Sequence, residues 1–192
     1  MDENQDNKND DLSIIGHILK IFKFDANINE NGIVKNQRFI IKLLDKAGQE
    51  RVRKITLYYF KGCDGILLIY DITERYSFDN VKKWISSIKE ESLNENQSKF
   101  VIMLIGNKFD LVNKKEKERK VDEEEAIKIC DEFNMIWGGE ISIKYIEHSA
   151  IKALMEKFII EIYNKKGGKE PEVKTHKKIG KYKKKTKKRC IF

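Results

Sequence analysis

The sequence has few cysteines and no long apolar run, and each shortage excludes a class of protein. Cys63, Cys130 and Cys190 lie far apart, are odd in number and form no CxxC pair. We interpret them as reduced thiols of a cytoplasmic chain, which excludes a disulfide framework and a zinc site. No apolar run approaches the roughly 18 residues of a membrane-spanning helix. The acidic segment 1–11 is the opposite of a signal or transit peptide.

The net charge of +8 is concentrated at one end of the chain. Residues 165–192 contain 13 lysines and arginines but only two acids, Glu170 and Glu172, so this segment carries +11 and the other 164 residues sum to −3. We therefore expect three regions: a disordered acidic N-terminus over residues 1–11, a globular domain over 12–164, and a polybasic tail over 165–192 that contains Cys190.

Hydrophobic periodicity predicts an α/β domain. Residues 14–24 and 38–44 are predicted to form a β-hairpin with a generous loop over 27–32. Strands are also predicted over residues 65–70, 100–105 and 143–146, the first two as continuous apolar runs typical of a parallel sheet. Helices are predicted over residues 77–88 with Ser77 as N-cap, 122–133 and 153–163. This alternation favours helices packed around a mostly parallel sheet.

Three polar clusters follow predicted strands, at the sheet edge where ligands bind in such folds. The first is Asn107-Lys108-Phe109-Asp110. The Asp110 carboxylate can accept from the N1–H and exocyclic amine of guanine, and the Lys108 stem can cover the ring. Taken alone, these four residues are equally typical of a turn that ends a strand.

The other two clusters surround Gly48 and Ser149. An Asp at a strand end (Asp45) can hold a water of bound Mg²⁺, a Gly48 amide can approach a γ-phosphate, and Gln49 can orient an attacking water. In Glu147-His148-Ser149-Ala150, a small residue lets a backbone N–H reach the guanine carbonyl. Taken alone, the second cluster is also typical of a turn, and the third is better explained as a helix cap.

In this order and spacing, the three clusters resemble the Rab branch of the Ras superfamily of small GTPases. Residues 45–88 ("DKAGQERVRKITLYYFKGCDGILLIYDITERYSFDNVKKWISSI") match the Rab pattern without a gap, and the match continues through "GNKFDL" and "EHSA". The resemblance implies a three-layer, P-loop NTPase-like G domain. It also implies a GTPase switch in vesicle trafficking, with GTP/GDP and Mg²⁺ as cofactors and Rab effectors and regulators as partners.

The resemblance also implies roles for individual residues. Asp45 would be the Mg²⁺-linked acid, Gly48 the γ-phosphate sensor and Gln49 the catalytic residue that positions water. The guanine base would be bound by Asn107, Lys108 and Asp110, with Ser149 and Ala150 completing its pocket.

The chain departs from the family at the phosphate end. The phosphate-binding P-loop needs Gly-Lys followed by Ser or Thr, yet Gly168-Lys169 precedes Glu170 and Gly180-Lys181 precedes Tyr182. Lys46 replaces a threonine, Leu44 a tryptophan, and the segment 137–139 looks like an insertion. We therefore expect an incomplete or degenerate member that binds GTP poorly.

The first strand, P-loop and first helix of the fold have no counterpart in the sequence. One alignment takes "SIIGHILKIFKF" as switch I and the second strand, with Ile14 in place of a Mg²⁺-closing threonine; a rival alignment takes "LSIIG" as the first strand. In the family that first strand is central to the sheet. Without it we expect either that the flanking strands close up or that the chain lacks its N-terminal segment, because unpaired backbone groups are costly.

The tail resembles a membrane anchor. Its lysines suit an anionic membrane surface, and lipidation of Cys190 by the prenylation machinery would add a second anchoring signal. Only two residues follow Cys190, whereas the standard prenylation box has three. We expect a cytoplasmic protein, peripheral on the cytosolic face of endomembranes. The alternatives are a non-catalytic Rab-like scaffold or decoy that binds effectors, and a basic nucleic-acid-binding protein; we expect no specific nucleic acid.

Overall fold

The computed structural model describes residues 12–14, 17–30, 32–46, 63–93, 100–168 and 187–191. Seven strands are present in this part of the chain: β1 Leu12–Ile14, β2 His17–Glu30, β3 Ile33–Lys46, β4 Gly65–Asp71, β5 Val101–Asn107, β6 Ile136–Glu140 and β7 Lys187–Ile191. Its helices are α1 Arg75–Leu93, α2 Phe109–Asn113, α3 Glu123–Phe133 and α4 His148–Lys165. None of these helices combines the length and the apolar character needed to cross a bilayer.

The predicted hairpin is present, but its strands are longer and its turn is tighter than expected. Strands β2 and β3 pair antiparallel from His17↔Lys46 to Glu30↔Ile33. Only Asn31 and Gly32 connect them, and Gly32 has a φ of 82°. Asn-Gly is a favoured sequence for two-residue hairpin turns, and glycine adopts a positive φ without strain. The generous loop was a wrong prediction, since residues 27–30 continue the strand pairing.

The sheet has the order β1-β2-β3-β7-β4-β5-β6, and its part from β3 to β6 is parallel. Helices α1 and α3 cover one face through a core that includes Ile66, Tyr70, Phe78, Ile85, Ile129 and Cys130. Helix α4 covers the other face, in a core that includes Phe39, Ile41, Met103, Phe158 and Ile162. The predicted three-layer α/β fold is therefore confirmed.

The last parallel strand lies earlier than predicted. It spans Ile136–Glu140, whereas the predicted strand 143–146 falls in the loop that follows. The apparent insertion at residues 137–139 is thus part of the sheet. A Cβ on Gly138 would lie 2.8 Å from Ile105 Cγ1 and 3.1 Å from the Leu104 carbonyl oxygen, so β6 needs a glycine there. Glycine weakens the sequence signal of a strand, which explains the error.

The three predicted helices are present, but their ends differ from the predictions, and α1 continues to Leu93, five residues past its predicted end. Helix α3 spans Glu123–Phe133 with Asp122 as its N-cap residue, close to the predicted 122–133. Helix α1 begins at Arg75, so Ser77 is not its N-cap; instead the Ser77 hydroxyl accepts from the Asp71 N–H at 2.9 Å and donates to the Glu74 carbonyl at 2.7 Å. Helix α4 begins at His148, five residues before the predicted start. Ser77 therefore ties the end of β4 to the helix that follows.

The tail contributes one strand, β7, to the sheet. It lies between β3 and β4 and runs parallel to both. Residues Lys187–Ile191, which were expected to belong to the tail, pair with β3, and β3 and β4 do not close up on each other. The physical reason is that backbone pairing accepts many sequences, so an unpaired strand edge readily takes up another segment. Residues 169–186 lie outside the described part of the chain.

Candidate nucleotide-binding site

The candidate base-binding loop begins where β5 ends. Asn107 is the last residue of β5, and Lys108 has a φ of 69°, which turns the chain sharply into the short helix α2. The Phe109 N–H donates to the Ile141 carbonyl at 3.1 Å, and the Ile141 N–H donates to the Gly106 carbonyl at 2.7 Å. Backbone hydrogen bonds therefore join the loops that follow β5 and β6 into one unit.

Asn107 and Asp110 both bind the loop after β6. The Ser142 hydroxyl donates to Asp110 Oδ1 at 2.5 Å, and the Ile143 N–H donates to Asn107 Oδ1 at 3.1 Å. Asp110 and Ser142 are half-buried. A carboxylate and an amide held by such neighbours keep a fixed orientation, as a site that recognises the edge of a planar base requires.

Ser142 and Ile143, which were not predicted, hydrogen-bond to Asp110 and Asn107 in this loop. Ser149 and Ala150 lie exposed in the first turn of α4, and the Ser149 hydroxyl donates to the Glu147 carboxylate at 3.2 Å. Their place at a helix terminus fits the alternative interpretation of that cluster, and their role in the base pocket stays a prediction. Sequence reasoning missed Ser142 because it placed the last strand too late. A strand over residues 136–140 would have put Ser142 directly after the strand end.

Lys108 is held by the neighbouring strand. Its Nζ lies 2.6 Å from Asp71 Oδ2, at the end of β4. Asp71 Oδ1 also accepts from the Thr73 N–H at 2.9 Å and from the Thr73 hydroxyl at 2.7 Å. Burial acts to raise the pKa of Asp71, but the hydrogen bonds from Lys108 and Thr73 outweigh it and hold this pKa below its ordinary value. The three candidate base-binding residues, Asn107, Lys108 and Asp110, thus all have protein partners.

A buried ion pair that was not predicted from the sequence lies at the end of β6. Arg119 binds Glu140 with two hydrogen bonds of 2.5 and 2.7 Å, and the Glu140 side chain is only 7% exposed. The hydrogen bond to Glu140 raises the pKa of Arg119 above its ordinary value. Arg119 also donates to the Val121 carbonyl at 3.0 Å. A Cβ on Gly106 would lie 3.2 Å from Glu140 Cγ, so glycine leaves room for this pair.

The predicted phosphate end is only partly described. Asp45 is exposed on β3, in register with Ile18 on β2. Gly48 and Gln49 lie outside the described residues. Within the described ranges, no three His, Cys, Asp or Glu residues cluster as metal ligands. In phosphate sites Mg²⁺ uses one or two carboxylates beside waters and substrate phosphates, so Asp45 fits Mg²⁺ only as one ligand alongside a nucleotide.

The predicted lipidation residue, Cys190, lies in β7 in register with Lys42 of β3. The other two cysteines, Cys63 and Cys130, are buried, and burial raises the pKa of the Cys130 thiol to about 11.

Comparison with known proteins identifies the family of the chain. The family model described as "Ras family" matches residues 22–165. The chain is 38% identical over 123 residues to GTP-binding protein ypt3 of Schizosaccharomyces pombe, covering 64% of this chain and 50% of that protein. It is 37% identical over 124 residues to Ras-related protein Rab-13 of Canis lupus familiaris, covering 65% and 53%. It is 33% identical over 132 residues to Ras-related protein Rab11A of Lotus japonicus, covering 69% and 54%.

The chain spans about half the length of these curated relatives. The matched region nevertheless includes β4, β5, β6 and the loops that carry Asn107, Asp110 and Ser142. The chain therefore belongs to the Ras family, and within that family it is of the Rab type.

Proposed function

We propose that this chain binds a guanine nucleotide mainly through its base and acts as a Rab-like switch protein in vesicle trafficking. The observation that carries this proposal is the pair of contacts Ser142–Asp110 and Ile143–Asn107, which fix a base-recognition loop at the ends of β5 and β6. The proposed setting is the cytosolic face of endomembranes, with Rab effectors and regulators as protein partners.

The chemistry of this loop favours guanine over adenine. A carboxylate such as Asp110 accepts hydrogen bonds, and guanine offers two adjacent donors, its N1–H and its exocyclic amine. Adenine has an acceptor at N1, so its lone pair would face the carboxylate. A site built around a matched hydrogen-bonding edge rejects a mismatched one strongly, because polar groups would be left unpaired. The Lys108 stem, whose Nζ is held by Asp71, lies beside the same loop.

The phosphate end is proposed to be weak. No Gly-Lys-Ser/Thr sequence occurs in the 192 residues, so the chain has no P-loop lysine and no following hydroxyl for a metal ion. In the proposal Asp45 is a metal-linked acid, Gly48 contacts the γ-phosphate and Gln49 orients water. When bound with the nucleotide, Mg²⁺ would neutralise phosphate charge. We expect nucleotide affinity weaker than nanomolar and impaired GTP hydrolysis.

The polybasic tail supports a membrane location. Residues 165–192 carry +11, and each lysine or arginine near an anionic leaflet contributes about 1 kcal/mol of binding. One lipid chain gives only marginal anchoring, so a lipid on Cys190 and the basic residues together would form a two-signal anchor. The proposal includes recognition of this tail by the prenylation machinery.

The Asp110→Asn variant tests base recognition by a gain of affinity for a xanthine nucleotide as well as a loss of affinity for a guanine nucleotide. An amide can donate where the carboxylate accepted, so the variant should prefer xanthine, which has a carbonyl in place of the guanine amine. We expect GDP binding to weaken and xanthosine diphosphate binding to strengthen, each by about tenfold or more. Calorimetry or a fluorescent nucleotide would measure both affinities.

Asp131→Asn is the matched control, because Asp131 is exposed on α3 and far along the chain from the loop. It should leave both affinities unchanged. Equal affinity of the wild-type chain for GDP and ADP would contradict base recognition. Nanomolar GDP affinity would contradict the weak phosphate end.

A second candidate function is a Rab-like scaffold that binds effectors without switching. The Lys108–Asp71 ion pair favours it, because the base-binding lysine is held at 2.6 Å by protein alone. A pull-down of partners with the chain saturated with GTP, with GDP or with neither distinguishes the two functions. A switch changes its partners between the three conditions, and a scaffold does not.

A further inference from the structure

Strand β7 is held chiefly by one neighbour. It pairs with β3 at five positions, from Phe39↔Lys187 to Leu43↔Ile191. Its only pairing with β4 in the described ranges is Gly65↔Ile191, at the beginning of β4. By comparison, β4 pairs with β5 at seven successive positions. The backbone bonds that retain β7 therefore come mostly from β3.

The sequence of β7 also suits its position poorly. Lys187 is in register with Phe39, and Arg189 is in register with Ile41. Phe39 and Ile41 are fully buried in the core beneath α4. Lys187 and Arg189 occupy positions next to them in register, although lysine and arginine are rarely placed at core positions. Charged residues at such positions oppose strand pairing.

An anionic lipid surface would bind favourably the same cationic residues that are unfavourable in the sheet. Lys187, Lys188 and Arg189 belong to the +11 segment, and cations gain free energy near anionic headgroups. An enzyme that attaches a lipid to Cys190 would have to take residues 187–191 into its own site, whereas in β7 this segment is paired with β3. Residues 187–191 therefore cannot pair with β3 and bind a membrane surface at the same time.

We propose that β7 is a releasable strand, and that an anionic membrane surface competes with β3 for residues 187–191. In the sheet-bound state the tail completes the sheet, and Cys190 is withheld from modification. In the membrane-bound state the tail leaves, and the edge of β3 over Phe39–Leu43 loses its partner. This inference rests on the proposed membrane role of the tail.

Hydrogen exchange of the full chain with and without vesicles tests this competition. Vesicles with about 30% phosphatidylserine should bind the chain and raise exchange at residues 39–43 about tenfold, whereas neutral phosphatidylcholine vesicles should do neither. The same anionic vesicles should increase alkylation of Cys190, measured residue by residue by mass spectrometry, while the buried Cys63 and Cys130 stay unreacted.

A proline variant with a matched control separates strand pairing from charge. Arg189→Pro removes one positive charge and one backbone donor inside β7. Lys184→Pro removes the same charge outside β7. Without vesicles, Arg189→Pro should raise exchange at residues 39–43 and alkylation of Cys190 about tenfold, and Lys184→Pro should change neither. Retained exchange protection of β4 and β5 would show that the variant is folded.

Four outcomes would overturn the proposal. If Arg189→Pro leaves exchange at residues 39–43 unchanged, β7 does not protect β3. If anionic vesicles bind the chain without changing that exchange, membrane and sheet do not compete; this result leaves the proposed membrane role intact. If the wild-type chain binds no vesicles, the membrane role fails as well, whereas guanine recognition is judged separately with Asp110→Asn. If a single-stranded RNA releases β7 and vesicles do not, the competing surface is a nucleic acid.

Discussion

The two sides of β4 differ in how completely the neighbouring strands are paired. On one side, β4 and β5 pair from Gly65↔Val101 to Asp71↔Asn107, and the loop after β5 is bonded to the loop after β6. We call β4, β5 and β6 with α1 and α3 the parallel half. On the other side, β7 meets β4 at one position and is held by the β2–β3 hairpin; we call β2, β3 and β7 the hairpin half. The candidate base-binding residues Asn107, Lys108 and Asp110 lie at the end of β5 in the parallel half, where β4 and β5 pair at seven successive positions.

The largest expected effect compares one phenylalanine from each half. Phe78 is fully buried on α1, with its ring 4.9 Å from that of Tyr70, whereas Phe22 on β2 is only half-buried. Phe78→Ala should lower the free energy of unfolding by about 3–5 kcal/mol, and Phe22→Ala by less than half as much. Urea denaturation measures both. Equal losses would mean that the half-buried Phe22 contributes as much packing as the fully buried Phe78.

The next effect concerns the buried ion pair of the parallel half. Arg119→Met would leave the Glu140 carboxylate, 7% exposed, without its bidentate partner. We expect a loss of about 2–3 kcal/mol in the free energy of unfolding, because an uncompensated buried charge is costly. Lys120→Met is the control, since the neighbouring Lys120–Glu118 pair is exposed. If Arg119→Met loses no more free energy of unfolding than Lys120→Met does, the Glu140 carboxylate is effectively solvated.

A smaller effect is expected from the pH dependence of stability at Asp71. Because its pKa is lower in the folded chain than its ordinary 3.8, Asp71 contributes stability that is present above that value and is lost as the pH falls through the folded pKa. Asp71→Asn should therefore lose less stability than the wild type on acidification below pH 3.8. Denaturation midpoints measured from neutral pH down to acid check this. An unchanged acid slope would show that the Lys108 contact does not persist in solution.

The smallest effect is expected in the hairpin half. Arg38 and Asp25 form an ion pair across β2 and β3 at 2.7 Å, but their side chains are 60% and 40% exposed. Solvent screens such pairs, so Arg38→Gln should leave the denaturation midpoint unchanged within error. A clear shift would show that this cross-strand pair holds the hairpin more firmly than its exposure implies.

The sequence predicted best what depends on local patterns. The apolar runs of β4 and β5 and the periodicity of α1 and α3 identified the parallel half and the loop 107–110. What it missed depends on contacts between distant segments. Ser142 reaches Asp110 only because β6 ends at Glu140, and the two glycines of β6 conceal that strand. Strand β7 is more difficult still, since its cationic sequence has no strand pattern and its partner lies on the hairpin.

The position of β7 also sets an order of events during synthesis. Phe39 pairs with Lys187, 148 positions later, and every other described strand precedes β7 in the chain. Until the ribosome has made residues 187–191, the edges of β3 and β4 that flank β7 in the finished sheet cannot pair with it. Non-local pairing of this kind is slow, and unpaired strand edges attract other chains. Chaperones that cover exposed strand edges should therefore matter more for the nascent chain than for the finished one.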